Sequence, residues 1–329
     1  MRWKLGLVLL VTVVCLGWVL TYIDPSEAIH ALQIMQWWTF LPMFAMYLIA
    51  HTLRSLRLGL LLGEKVPFRG LFSINAIGFL AINVVPLRLG EAVRPYLLSE
   101  KHSIAYGQSV AAIVVERIID LGMLLSMLLA LSWLVELPPG GVQVNDVDVI
   151  AAGQKLAGVG VGLGIIGLLS VVLIGEPVIA LIRKLPAGEA LGGFAARVRV
   201  AVKSLLAAPG RCAGALVLTL GVWGATLIGV GFVMGGFPGI PSTVGSVWTV
   251  WSVTLAGMTA LPTPGFFGGY ELFCVAALTL WKVAPGLAAT FALTLHIGQF
   301  LFTCGIGGTF VFLEGLNLRQ VVEESRQGG

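Results

Sequence analysis

The chain has 329 residues, of which 57% are hydrophobic and only 11% are charged. Because a soluble domain carries roughly a quarter charged residues, this composition predicts a polytopic membrane protein and leaves no stretch for a separate soluble catalytic domain. A basic inner membrane face explains the net charge of +4 better than nucleic-acid binding does. The four cysteines lie in or beside apolar runs without a CxxC pair, which predicts buried side chains rather than disulfides or metal ligands.

Apolar runs in chain order predict about six transmembrane helices, each close to the roughly 20 residues that cross a bilayer. The runs cover residues 5–22, 38–62, 103–135, 150–174, 211–236 and 285–313. Loops rich in Lys and Arg alternate with acidic or uncharged loops, so the positive-inside rule places both termini in the cytoplasm. We expect one integral membrane domain over residues 1–313 and a short cytoplasmic tail over residues 314–329.

Two further stretches, 71–98 and 248–281, begin as apolar helix and are then interrupted by proline and glycine. These residues end a helix and free its backbone polar groups, which a membrane tolerates only against protein or a water-filled cavity. Each stretch is therefore predicted to form a re-entrant hairpin. The interrupting residues are Pro86 and Gly90 in the first hairpin and Pro262, Pro264, Gly265 and Gly269 in the second.

The order helix, helix, hairpin, helix occurs twice, in units of about 1–135 and 150–313. Each unit crosses the membrane an odd number of times, so the second unit is expected to be inverted relative to the first. Secondary transporters follow this plan, and their site lies near the midplane where the broken elements of the two repeats meet. The expected fold is thus an all-α polytopic membrane protein built as an inverted-topology repeat.

Polar side chains inside these segments mark the candidate substrate site. A guanidinium group suits a phosphate because its planar fork binds two oxygens at once. An internal Arg–Glu pair that only closes the first hairpin is the alternative for its arginines. His51, Arg54 and Arg57 share one helical face, and Arg57 is equally compatible with a role as an interface anchor. The residues expected to bind an anionic substrate are Arg54, Arg88, Arg94, Arg117 and Asn83.

Carboxylates in the same segments are candidates for gating or proton coupling. Two of them, Glu116 and Asp120, lie four residues apart on one helical face, so one should be protonated or paired with Arg. This pattern fits a proton relay and a structural ion-pair network equally. Glu271 is expected to be protonated or to meet an Arg of the first repeat, and His296 is expected to be a core histidine. The four gating candidates are Glu91, Glu116, Asp120 and Glu271.

The segment 176–211 carries six basic and two acidic residues with apolar residues interleaved. This pattern favours a helix lying on an anionic inner membrane surface, and a solvated basic loop is the alternative. The sequence contains no GxxxxGK[ST] motif for nucleotide binding and no HExxH metal motif. We therefore expect neither a cofactor nor a metal.

Three motifs occur in order along the chain: N-x2-P-x-R-x-G-E-x2-R at 83–94, E-R-x2-D at 116–120 and P-x-P-G-x2-G-G-x-E at 262–271. Together they resemble the lysylphosphatidylglycerol synthase transmembrane-region family, also called flippase-like, over about residues 5–313. The resemblance implies a lipid-handling protein of the bacterial or archaeal cytoplasmic membrane. It also implies a stand-alone member that lacks the C-terminal aminoacyltransferase domain, so the transferase activity is not carried over.

The leading hypothesis is a non-enzymatic lipid flippase or scramblase for an anionic lipid, which is expected to bear a phosphate. The resemblance extends the substrate classes to glycolipids and to polyprenyl or hopanoid-type lipids. One alternative is a non-catalytic partner subunit whose basic segment docks a soluble or membrane enzyme of lipid synthesis. A membrane-embedded headgroup transferase is the other alternative. The sequence leaves the headgroup, the energy source and the oligomeric state open.

Overall fold

The computed structural model is helical over most of the part of the chain that it describes. Three predicted site residues, Pro86, Arg88 and Pro262, lie outside the described residues, and so does most of the predicted span 150–174. The described residues are 2–63, 65–85, 90–136, 143–144, 147–148, 159, 162, 166–167, 169–185, 188–261 and 263–327.

The first half contains long helices, a helix–break–helix hairpin and one short helix near the start. A 3₁₀ turn, Trp37–Thr39, leads into the third helix. The helices are α1 (Arg2–Thr21), α2 (Pro25–Ile34), α3 (Phe40–Leu62), α4 (Phe68–Val84), α5 (Val93–His102) and α6 (Tyr106–Leu134).

The second half repeats this order after a minimal antiparallel pair of strands, β1 (Gln143–Val144) and β2 (Val147–Asp148). A π-helical turn, Ser170–Ile174, precedes its first complete helix, and a 3₁₀ turn, Pro264–Phe266, interrupts its hairpin. The helices are α7 (Glu176–Arg183), α8 (Gly188–Leu206), α9 (Pro209–Gly235), α10 (Val244–Ala260), α11 (Gly269–Thr279), α12 (Pro285–Leu313) and α13 (Leu318–Gln327).

The predicted all-α membrane class is confirmed, while the number of spans stays a prediction. Among the described residues, α9 and α12 are each long and apolar enough to cross a membrane. A third crossing is possible for Val8–Thr21 taken together with α2, although the two are bent by 82°. Charged residues in α3 and α6 lower the apolar character of those helices, and apart from Arg54 these residues form ion pairs within the protein.

Helix α2 was not predicted, because its residues lie between the first two predicted spans, in a stretch assigned to an outer loop. Asp24 caps its N-terminus: the Asp24 Oδ1 atom accepts hydrogen bonds from the backbone N–H groups of Ser26 at 2.8 Å and Glu27 at 3.2 Å. Pro25 occupies the first helical position, where its missing N–H costs nothing. The Asp-Pro-Ser-Glu stretch is therefore a helix start that a composition-based search for spans overlooks.

The two halves match in element order and length. Helices α4 and α10 have 17 residues each, α5 and α11 have 10 and 11, and α6 and α12 have 29 each. Contacts between the halves are reciprocal: α4 packs against α12 and α10 packs against α6, while the equivalent helices α3 and α9 pack against each other. Reciprocal contacts of this kind are what a two-fold relation between two similar units produces.

The breaks of the two hairpins meet in the interior. The 3₁₀ turn Pro264–Phe266 packs against α4, and a side-chain carbon placed on Gly265 would lie 3.3 Å from the backbone oxygen of Asn83. Gly265 has a φ of +59°, a left-handed conformation that glycine adopts without the penalty of a Cβ atom. The first break is equally tight, because a Cβ atom on Gly90 would collide with the backbone of Ala81.

Two amphipathic helices cover one end of the bundle. Helix α8 buries Ala195, Val198 and Leu205, so this part of the basic segment is a packed helix and not a solvated loop. The predicted polar tail contains α13, which buries Val321 and Val322 in the same apolar cluster as residues of α5. Burying such side chains contributes roughly 1.5–3 kcal/mol each, which explains why a polar segment docks.

Candidate functional site

A small cavity of about 80 Å³ lies where α3, α4 and α12 meet. It is close to the contact between the two hairpin breaks, since Asn83 belongs to both. Tyr47, His51 and Arg54 line it from the middle of α3, spaced i, i+4 and i+7 on one helical face. The remaining lining residues are Ala76, Phe79, Asn83, Phe302, Thr303 and Ile306.

Arg54 is the charged residue of this cavity, and it has no carboxylate partner within the described residues. Its guanidinium carbon lies over the ring of Phe79, 5.1 Å from the ring centroid. A cation–π contact of this kind contributes roughly 0.5–2 kcal/mol but does not neutralise the charge. A positive charge held in an apolar setting favours binding of an anion, because the anion replaces the lost hydration.

Other polar groups around the cavity are only partly satisfied. The Tyr47 hydroxyl and the Gln299 amide nitrogen are buried without a hydrogen-bond partner among the described residues. Asn83 donates to the backbone oxygen of Phe79 at 2.9 Å, and the His51 Nε2 atom lies 3.1 Å from the backbone oxygen of Phe72. Buried polar atoms without partners are rare in folded proteins, so Tyr47 adds an available donor beside Arg54.

A buried ion-pair cluster lies next to this cavity and is organised around Glu116 of α6. Arg94 of α5 grips Glu116 with both terminal nitrogens, at 3.0 and 2.8 Å. Arg117 donates to the same carboxylate at 3.2 Å, and Arg57 of α3 approaches it at 3.6 Å. The side chains of Arg57, Arg94 and Glu116 are at most 1% exposed. Three helices are thus joined through one carboxylate.

Asp120 forms the second half of this cluster. Arg57 binds both of its oxygens, at 2.7 and 3.0 Å, and also donates to the Thr219 hydroxyl of α9 at 2.8 Å. The Trp223 indole nitrogen donates to Asp120 at 3.4 Å. Bidentate Arg–carboxylate pairs are the strongest and most directional ion pairs in proteins. The geometry therefore favours the ion-pair network over the proton relay for Glu116 and Asp120.

Two of the predicted arginines lie in the interior. Both terminal nitrogens of Arg94, a predicted substrate-binding residue, contact Glu116, and its side chain is buried, which is the Arg–Glu pair expected as the alternative. Gly78 makes this position possible, because a Cβ atom there would collide with the Arg94 side chain. Arg57 was equally expected to anchor the membrane interface, yet it is fully buried. Arg117 differs from both, since 43% of its side chain is exposed.

Glu271 forms a second buried charge centre, in the second hairpin. Its Oε2 atom accepts a 2.6 Å hydrogen bond from the backbone N–H of Gly268, which caps the start of α11. Its Oε1 atom lies 2.6 Å from Nδ1 of His296 on α12. The His296 ring is stacked on Tyr270 with centroids 4.3 Å apart and lies 4.5 Å from Phe267.

The partner of Glu271 is therefore a histidine and not an Arg of the first repeat. His296, which was expected to be an ordinary core histidine, belongs to this centre. The signal was present in the sequence, because His296 is an ionisable residue in the middle of an otherwise apolar 29-residue helix. Tyr47 was also missed, although its spacing from His51 and Arg54 places it on the same face.

Four further predicted site residues, Arg88, Glu91, Pro264 and Gly269, lie at or near the two hairpin breaks in the sequence. Glu91 is exposed at the start of the turn that leads into α5, and Arg88 lies outside the described residues. Gly269 begins α11, and Pro264 begins the 3₁₀ turn. Within the part of the chain that the structure describes, no group of three His, Cys, Asp or Glu side chains is placed to hold a metal ion.

Comparison with known proteins gives a family and one named relative. The model of the lysylphosphatidylglycerol synthase TM region matches residues 4–307. Glycosyltransferase AglD of Haloferax volcanii is 29% identical over 352 residues, covering 97% of this chain and 56% of that protein. The chain thus spans about half the length of this curated relative. No solved structure matches the chain.

The family match covers both hairpins, the Glu116 cluster and the Arg54 cavity, so the family and the site geometry concern the same part of the molecule. The name of the relative describes that longer protein. On the extent of the family match, this chain belongs to the lysylphosphatidylglycerol synthase transmembrane-region family of membrane proteins.

Proposed function

We propose that this protein moves an anionic, phosphate-bearing lipid between the leaflets of the cytoplasmic membrane, as a flippase or scramblase. The observation that carries the proposal is Arg54: a cation with no carboxylate partner among the described residues, lining a cavity beside the point where the two hairpin breaks touch. Its neighbours Arg57 and Arg94 are neutralised by carboxylates. Of these three arginines, Arg54 is therefore the one that is available to a headgroup.

Lipid exchange requires the charged headgroup to pass the bilayer centre, and placing a charge there costs roughly several kcal/mol or more. Arg54 offsets that charge, and the Tyr47 hydroxyl at the cavity wall is placed to donate to a headgroup oxygen. The acyl chains remain in the hydrocarbon while the headgroup passes the protein. Arg117, partly exposed, and Asn83, at the cavity wall, supply further polar contacts along this path.

The cavity of about 80 Å³ is smaller than the roughly 300–1,000 Å³ of typical ligand pockets. Passage of a headgroup therefore requires the two hairpin breaks to separate at the Gly265–Asn83 contact. The pair formed by Glu271 and His296 lies directly after the break of the second hairpin and controls this separation. The pair parts when the hairpin moves, and its interaction draws the hairpin back when it forms again.

The proposal is tested by leaflet exchange of fluorescent phospholipids in liposomes that contain the purified protein, with and without a pH gradient. Wild-type protein is expected to exchange phosphatidylglycerol, and Arg54→Ala is expected to lose about tenfold or more of this rate, since a lost charged hydrogen bond of about 1.5–3 kcal/mol corresponds to such a factor. Arg319→Ala, at an exposed position of α13, is the control and should exchange at the wild-type rate.

Exchange by Arg54→Ala at the wild-type rate would remove Arg54 from the site. Exchange without a gradient identifies a scramblase, and exchange only with a gradient identifies proton coupling. If wild-type protein exchanges no phosphatidylglycerol, the transport proposal for this lipid fails.

A second candidate function follows from the named relative. A glycosyltransferase that is nearly twice as long as the matched region fits a membrane region working together with an enzyme of lipid modification. In that reading the chain is a partner subunit, and the basic helices α7 and α8 are the docking surface for an enzyme. Neutralising their Lys and Arg residues would then abolish complex formation, whereas a transporter would retain its exchange activity. Product formation from lipid by the purified chain would instead identify an embedded transferase.

A further inference from the structure

A groove of about 710 Å³ lies between the N-terminal part of α6 and the amphipathic helix α8. It is larger than the Arg54 cavity and shares no lining residue with it. One wall is the face of α6 formed by Gly107, Ala111 and Val115, spaced four residues apart. Their small side chains keep the groove open. The C-terminal end of α3 and Arg211 at the start of α9 close one end.

The opposite wall is the face of α8 formed by Ala196, Val200 and Ser204, again spaced four residues apart. Val200 is 69% exposed, so the groove opens to the surroundings of the protein along this helix. A mostly apolar groove between α6 and an amphipathic helix suits an acyl chain better than a polar soluble ligand.

The charge at the mouth of the groove is supplied by Arg197. It is exposed, lines the groove and forms no ion pair with a carboxylate among the described residues. Its neighbours on the basic helices differ: Arg199 approaches Glu176 at 3.4 Å, and Arg183 approaches Glu189 at 3.9 Å. Arg211 donates to the backbone oxygens of Leu60 and Leu61, which caps the end of α3. Arg197 is thus free for an external anion.

We propose that this groove binds one acyl chain of an anionic phospholipid of the inner leaflet, with the phosphate at Arg197. The apolar walls match the chain, and the basic segment matches the charge of an anionic leaflet. The inner-leaflet assignment rests on the predicted topology and on the proposed function, but lipid binding in the groove does not require transport. The groove wall extends along α6 as far as Val115.

Native mass spectrometry of the purified full chain, in detergent supplemented with equal phosphatidylglycerol and phosphatidylcholine, tests the proposal. Wild-type protein is expected to retain phosphatidylglycerol in preference. Arg197→Ala should reduce this retention severalfold, while Lys203→Ala, the same charge loss on the same helix outside the groove lining, should leave it unchanged. Ala196→Phe should fill the groove and abolish retention, whereas Ala180→Phe on α7 should not.

Equal loss in Arg197→Ala and Lys203→Ala would show general surface attraction and overturn the site. Wild-type retention by Ala196→Phe, checked as folded by size-exclusion chromatography, would also overturn it, as would equal retention of the two lipids by the wild-type protein. If retention fails while liposome exchange persists, the groove proposal falls and the transport proposal stands. If retention holds while exchange is absent, the opposite conclusion follows.

Discussion

The two hairpins are tied to the rest of the molecule at corresponding places but by different chemistry. Arg94 is the second residue of α5 and pairs with Glu116, the eleventh residue of α6. Glu271 is the third residue of α11 and pairs with His296, the twelfth residue of α12. In each repeat, the second arm of the hairpin is therefore joined to the next long helix by a buried pair of one acidic and one basic side chain, and the two repeats place the acidic member on opposite partners.

The difference lies in what each pair can do. An arginine side chain stays protonated at any physiological pH, and Glu116 contacts three of them, so the first joint has a fixed charge state. The second joint contains an imidazole in place of a guanidinium, and proteins use this group in both its neutral and its protonated form. The comparison teaches that buried arginines of the first repeat join its helices, whereas the pair of the second repeat is the one that we propose for gating.

The largest effect is expected from Arg94→Ala, which leaves Glu116 buried without its bidentate partner. Removing one member of a buried ion pair costs about 3–5 kcal/mol, and we expect a strongly lowered midpoint of thermal unfolding in detergent. Arg117→Ala is the matched control, because it removes a partly exposed Arg from the same carboxylate and should cost about 1 kcal/mol or less. Equal destabilisation by the two variants would contradict the structural role of Arg94.

The second joint is tested by Glu271→Gln. Glutamine retains an oxygen for the Gly268 N–H, so the cap of α11 survives and the protein should fold, but the charged interaction with His296 is lost. We expect leaflet exchange to fall by about tenfold or more, and any dependence on a pH gradient to disappear. Glu323→Gln on α13, an exposed carboxylate paired with Arg319, serves as the control. Exchange and gradient dependence like those of the wild type would remove Glu271 from the mechanism.

The glycines at the two breaks give a smaller contrast in packing. In Gly90→Ala the new Cβ atom meets the backbone of Ala81, which cannot move aside, and overpacking of this kind costs about 1–3 kcal/mol. In Gly265→Ala the nearest atom, 3.0 Å away, belongs to the movable ring of Phe267, and the left-handed backbone adds roughly 1–2 kcal/mol. Thermal unfolding should show Gly90→Ala as the more destabilised variant. The reverse order would mean that the second break is the more rigid one.

The smallest effect concerns the docking of α13 on the first hairpin. The pKa of Glu324 is lowered by hydrogen bonds from the Tyr96 hydroxyl at 2.7 Å and from Gln320 at 2.8 Å. A carboxyl group whose pKa is lower in the folded state stabilises the fold above its unfolded pKa and loses this contribution as pH falls through the folded value. The protection of α13 amides against hydrogen exchange, measured relative to their intrinsic rates, should therefore fall below about pH 4.5, and Tyr96→Phe should remove this dependence. Unchanged acid sensitivity in Tyr96→Phe would show that another group docks the helix.

The sequence predicts the helices and hairpins well because long apolar runs and Pro–Gly breaks are local signals. The predicted last span 285–313 has the same bounds as α12, and both hairpins appear as helix, break and helix. The prediction missed helix α2 because its start is marked by the Asp24 cap and not by hydrophobicity. It missed helix α13 because the mean composition of that helix is polar and only one face is apolar.

The pairing of charges is harder to predict, since it depends on which helices become neighbours. Glu271 and His296 are 25 residues apart and Arg57 and Asp120 are 63 apart, and no periodicity within one helix connects such positions. For the same reason the sequence treats Arg54, Arg57 and Arg94 alike, although two of them are neutralised in the interior and one is left to the cavity.

The most direct test of this account measures thermal unfolding and phosphatidylglycerol exchange on the same preparations of wild-type protein, Arg54→Ala and Arg94→Ala. The account predicts that Arg54→Ala unfolds within about 1 kcal/mol of the wild type, since it leaves no carboxylate unpaired, and yet loses exchange. Arg94→Ala is predicted to lose stability. If Arg54→Ala is as unstable as Arg94→Ala, or if it exchanges lipid at the wild-type rate, the division between a structural and a substrate-binding arginine is contradicted.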